Sequence, residues 1–126
     1  MMPVSRTVCI LDDGARVIRE LSDLLDSQEY CVFLEEDADR FITMIADIDP
    51  DLIVIPDATS VAEEYLIPML RLLTDNIIVV TVNRDGDFAA EALLRGADLC
   101  VSRAMPEREL LARLHAFERR LLAPTA

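Results

Sequence analysis

The sequence predicts an α/β fold, a doubly wound five-stranded parallel sheet with helices on both faces. Three observations carry that prediction. Five short apolar runs alternate with five segments whose apolar residues recur at helical spacing. The strand runs are continuously apolar, as strands covered on both faces must be. Each run gives way abruptly to polar residues, as strands ending at an open rim do. Right-handed crossovers between such units favour the strand order 2-1-3-4-5.

The first strand is "TVCIL", Thr7 to Leu11, cut off by Asp12-Asp13-Gly14. From Ala15 to Gln28, Val17, Ile18, Leu21, Leu24 and Leu25 form one helical stripe. The second strand is "YCVFL", Tyr30 to Leu34. The stretch "EEDAD", Glu35 to Asp39, reads as a solvated, acidic helix start, and Phe41, Ile42, Ile45 and Ile48 continue that helix until Asp49-Pro50. "DLIVI", Asp51 to Ile55, is the third strand. Residues 61 to 74 are helical through Val61, Tyr65, Leu66, Met69, Leu70 and Leu73, with Pro68 either kinking the helix or setting its start near Ile67. "NIIVVTV" is the fourth strand. A helix from Asp87 to Arg95 stops at Gly96, and "LCV", Leu99 to Val101, is the fifth strand. Pro106 opens a last helix striped by Leu110, Leu111, Leu114, Phe117 and Leu121, with His115 beside the stripe on the surface. Residues 1–122 read as one domain and 123–126 as a tail or the start of a linker.

Composition narrows the function classes. The chain has 126 residues, 52% of them apolar, which suffices for a core. No apolar run is long enough to span a bilayer, and the N-terminus turns acidic too soon for a signal peptide, so a cytoplasmic location is expected. The net charge of −12 repels phosphate backbones and argues against nucleic acid as this domain's own partner. All 12 basic residues are arginine. Cys9, Cys31 and Cys100 each fall inside a strand with no cysteine–histidine cluster, and read as buried, reduced, structural thiols. A nucleotide or flavin site is disfavoured, because "DDGAR" after the first strand is acidic where a phosphate cradle is needed.

In open parallel sheets the working residues lie past the carboxyl ends of the strands. Those ends carry Asp12 and Asp13, then Pro56 and Asp57, then Thr81, Val82 and Asn83, then Ser102 and Arg103. Here the chain resembles the receiver domain of two-component response regulators, a flavodoxin-like fold. The resemblance rests on "CILDD", "PDLIVI", "IIVVT", "GAD" (Gly96 to Asp98) and "PERELLARL", and on the spacings from Asp12 to Tyr30 and from Thr81 to Arg103. It covers nearly the whole chain.

The resemblance implies Mg2+ held by the acidic pair Asp12 and Asp13, since a hard dication takes oxygen ligands. It implies a phosphoacceptor aspartate closing the third strand, a hydroxyl at Thr81, and a lysine, followed by a cis proline, where Arg103 and Ala104 stand. Arginine is a planar fork and not a point charge, and alanine prefers a trans bond. Val82 replaces a small residue, and Cys100 takes the place of an aromatic one. The largest departure is Pro56, which occupies the phosphoacceptor position and has no nucleophile. Asp57 is the candidate substitute acceptor, one residue on, which a bulge would have to turn back to the right face. Without a strand-three carboxylate, Asp12 and Asp13 are read as a weak divalent-ion pair or as carboxylates neutralised by Arg103.

The leading expectation is an atypical signalling receiver, a pseudo-receiver, with phosphorylation lost or altered. It is not an enzyme, it has no catalytic residue, and it acts by protein–protein contact. The resemblance implies a histidine kinase or another signalling protein as partner. It also implies a homodimer through the Asp87–Arg95 helix, the fifth strand and the last helix. The end "AFERRLLAPTA" resembles a helix running toward a linker, hence an N-terminal piece of a larger regulator. The alternative is a conventional phosphorelay receiver using Asp57 with Mg2+ on Asp12 and Asp13.

Overall fold

The computed structural model describes residues 6–14, 16–56, 60–75, 77–82, 93–94, 96–102 and 106–122. In chain order its elements are β1 (Thr7–Leu11), α1 (Arg16–Ser27), β2 (Cys31–Glu35), α2 (Ala38–Ile48), β3 (Leu52–Pro56), α3 (Ser60–Leu73), β4 (Ile77–Val82), β5 (Leu99–Ser102) and α4 (Glu107–Leu122). The strands form one parallel sheet in the order β2-β1-β3-β4-β5, as the sequence predicts. Leu93 and Leu94 are helical, and the remainder of the helix expected over 87–95 lies outside the described residues, as does the 123–126 tail.

Strand alternation sorts the core into two layers. Cys9, Leu11, Ile53, Ile55 and Ile78 face α2 and α3, where they bury Phe41, Ile45, Leu66, Ile67 and Leu70. Val8, Ile10, Leu52, Val54 and Val79 face the other way, onto Ile18, Leu21 and Leu25 of α1 and Leu114 of α4. Each such aliphatic side chain, once buried, contributes roughly 1.5–3 kcal/mol. The inner strands β1 and β3 have almost no exposed side chain, which explains their unbroken apolar sequence.

The edge strand β2 departs from that rule. Cys31 is exposed, not buried as expected, and Phe33 and Leu34 are 38% and 50% exposed. An edge strand has a neighbour on one side, so helices do not cover it fully. The third helix is also corrected. It begins at Ser60 and not near Ile67, and it carries Pro68 in its interior. Pro68 is exposed, and as a proline it has no N–H to donate to the carbonyl one turn earlier. Leu66, Ile67 and Leu70 supply the buried stripe, while Met69 and Leu73, expected in the stripe, are exposed, with Leu72 at 87%.

Helix termini follow their chemistry. Asp37 caps α2 by accepting the Arg40 N–H at 2.9 Å, and the helix ends on Asp49 in the left-handed region at φ 50°, just before Pro50. His115 is exposed, as predicted. No helix among the described residues is long and apolar enough to cross a membrane.

Candidate functional site

The carboxyl rim of the sheet holds Asp12, Pro56 and the backbone of Thr81. The Asp12 N–H donates to the Glu35 carbonyl at 2.8 Å, tying the end of β1 to the end of β2. Its Oδ1 accepts the Gly14 N–H at 2.8 Å, closing a tight turn that Gly14 permits at φ +82°. Asp12 is half-buried and Asp13 exposed. Pro56 is the last residue of β3, buried, and in register with Thr81 of β4. The β1–β3 register runs Val8↔Leu52 to Ile10↔Val54, and continuing that offset brings Asp12 level with Pro56.

Proline inside a central strand would break a ladder. Pro56 is tolerated because it closes the strand beyond the last β1–β3 pair. Of Thr81 and Val82 the backbone alone is described, and Asp57, Asn83, Arg103 and Ala104 lie outside the described residues. The structure therefore brings Asp12, Asp13 and Pro56 to one rim. Two carboxylates are the right chemistry for Mg2+. Among the described residues, however, no third aspartate, glutamate, histidine or cysteine joins them in a group fit to hold a metal ion.

Glu35, beside this rim, takes the N–H of Asp37 at 3.0 Å and of Glu36 at 2.7 Å. The Asp37 N–H above all, then that of Glu36 and the Arg40 guanidinium 3.9 Å away, hold its carboxyl below the usual value. The thiols differ from one another. Burial, with Cys31 nearby, pushes Cys9 up to about 11, and burial raises Cys100, which packs half-buried against the core.

One polar cluster escaped the sequence reading. The Asp98 carboxylate accepts the Ile78 N–H at 2.8 Å and pairs with the Arg71 guanidinium, while the Asp98 N–H donates to the Ile78 carbonyl at 2.8 Å. Arg71 Nε donates to the Gly96 carbonyl at 2.7 Å. Gly96 sits at φ +125°, and a Cβ there would lie 2.9 Å from Arg71 Cγ. The motif "GAD" thus joins the end of α3 to the starts of β4 and β5.

No protein-family model matches the chain. A curated relative is the phosphate regulon transcriptional regulatory protein PhoB of Pseudomonas aeruginosa, 29% identical over 122 residues, 93% of this chain and 53% of that protein. The chain thus spans about half the length of that relative. A two-component response regulator from Clostridium difficile superposes with a TM-score of 0.83 at 21% identity, covering 94% of this chain and all of the other (100%). The fold is that of response-regulator receiver domains. A receiver domain from Bermanella marisrubri agrees, with a TM-score of 0.75 at 18% identity over 90% of this chain and 98% of its own. Within the receiver fold, the rim just described is the strand-end rim where sequence analysis placed the site, and Pro56 is the residue that closes its central strand.

Proposed function

We propose that this receiver domain signals by protein contact and has lost phosphoryl transfer at its third strand. One observation carries the reading. The buried strand-end position, level with Asp12 and paired with Thr81, is Pro56, whose side chain has no oxygen to attack a phosphoryl group. Asp12 supports it too, because one of its oxygens is already engaged by the Gly14 N–H. The domain works without an enzymatic step of its own. Its partner is a histidine kinase or another signalling protein, and a second copy docks through the expected 87–95 helix, β5 and α4. Residues 1–122 form the module, and a further output unit carries any DNA contact, in keeping with the net charge of −12.

The test is incubation with Mg2+ and a small acyl-phosphate donor, followed by intact-mass measurement. The expected result is no adduct. A stable phosphate adduct that Asp57→Ala removes would overturn the proposal and establish Asp57 as acceptor, with Asp12 and Asp13 as the metal pair.

A further inference from the structure

The outer edge of the sheet at β2 has a backbone and a surface that suit a ligand. In a parallel ladder a residue directs its N–H and C=O to the same side, and successive residues alternate. The Cys31 N–H donates to the Arg6 carbonyl at 2.7 Å, and the Glu35 carbonyl accepts from Asp12 at 2.8 Å. Cys31, Phe33 and Glu35 therefore face β1, and the N–H and C=O of Val32 and Leu34 face outward. No bond from a described residue reaches those outward groups.

Edge strands are ordinarily blunted by lysine, proline or a bulge. This one, "CVFLE", has none of them, and its register with β1 is unbroken. Phe33 and Leu34, on opposite faces, leave apolar surface beside the free backbone. Both ends of the strand are acidic. Asp26 and Glu29 precede it, and Glu36, Asp37 and Asp39 follow it, all exposed. Arg40 stands near Glu35, and half-buried Arg6 backs Cys31.

We propose that β2 accepts a sixth strand, an extended segment of a partner protein with an apolar centre and basic residues at its ends. Main-chain bonds to Val32 and Leu34 supply the affinity, as in other strand additions. The acidic flanks select the charge. A second copy fits poorly. Antiparallel pairing about a two-fold axis at Phe33 would bring the acidic residues that precede the strand in one molecule toward those that follow it in the other.

The probe is a short synthetic peptide with a valine–threonine core and paired arginines at each end, compared with its glutamate-ended counterpart. Binding is read by fluorescence anisotropy and by amide hydrogen exchange. The arginine peptide should bind and slow exchange at the Val32 and Leu34 amides, and the glutamate peptide should not. Leu34→Pro removes an outward N–H without touching the β1 ladder, and should weaken binding by about tenfold or more. Reversing Glu29 and Glu36 to arginine should switch the preference to the glutamate peptide, and keeps the test decisive if Leu34→Pro does not fold. Absence of binding, protection elsewhere, indifference to both variants, or self-association that protects the same amides would each overturn the proposal.

Discussion

Asp98 shows what one side chain does in this fold. Its carboxylate meets a backbone N–H of β4 and the Arg71 guanidinium at once, while its own N–H reaches back to Ile78. Hydrogen bonds to a charged group contribute about 1.5–3 kcal/mol each, and the cluster is partly solvated. Asp98→Ala should therefore lose about 2 kcal/mol, read as a lower urea midpoint with an unchanged slope. Gly96→Ala should also destabilise, by about 1–2 kcal/mol, because its φ is positive and its Cβ would press on Arg71. Glu35 sets an acid limit. Its folded value lies below the unfolded one, so the stability it contributes is present above pH 4.5 and fades as pH falls through the folded value. Acid unfolding of Glu35→Gln should lack that component. Pro56 was legible in the sequence, because a strand end has a fixed offset from the run before it. The Asp98–Arg71 pair was not, since its members lie 27 residues apart and nothing in either neighbourhood names the other.

At the scale of elements, periodicity located every strand to within one residue of its observed bounds. It failed where a single residue type overrides pattern. Pro68 suggested a late start for α3, yet the helix runs through it, at a position where the proline ring is exposed and not packed into the core. Pro68→Ala restores the missing N–H and should stabilise the domain by about 1–3 kcal/mol, seen as a raised thermal midpoint. Apolar composition likewise hid the difference between inner and edge strands. "TVCIL" and "YCVFL" look alike in sequence, but β1 is enclosed and β2 is not. The consequence is measurable with an alkylating agent under native conditions. Cys31 should react first, Cys100 slowly, and Cys9 last, since its thiol is buried and its pKa is pushed up to about 11.

For the whole molecule, the alternating pattern dictated the sheet order, because parallel strands joined by right-handed crossovers leave few other arrangements. The chemistry of the rim was less legible, because Asp57 and Arg103 were placed by the family resemblance and lie outside the described residues. With 24 acidic against 12 basic residues, the folded domain repels itself. Adding a monovalent salt should raise its stability, and the gain should exceed that of a variant with several surface acids neutralised. The clamp at Arg71 has a mechanical meaning at this scale. One guanidinium grips the Gly96 carbonyl and the Asp98 carboxylate together, so the far end of α3 and the root of β5 behave as a single corner brace. A displacement of the sheet's last strand therefore pulls on a helix packed against its face.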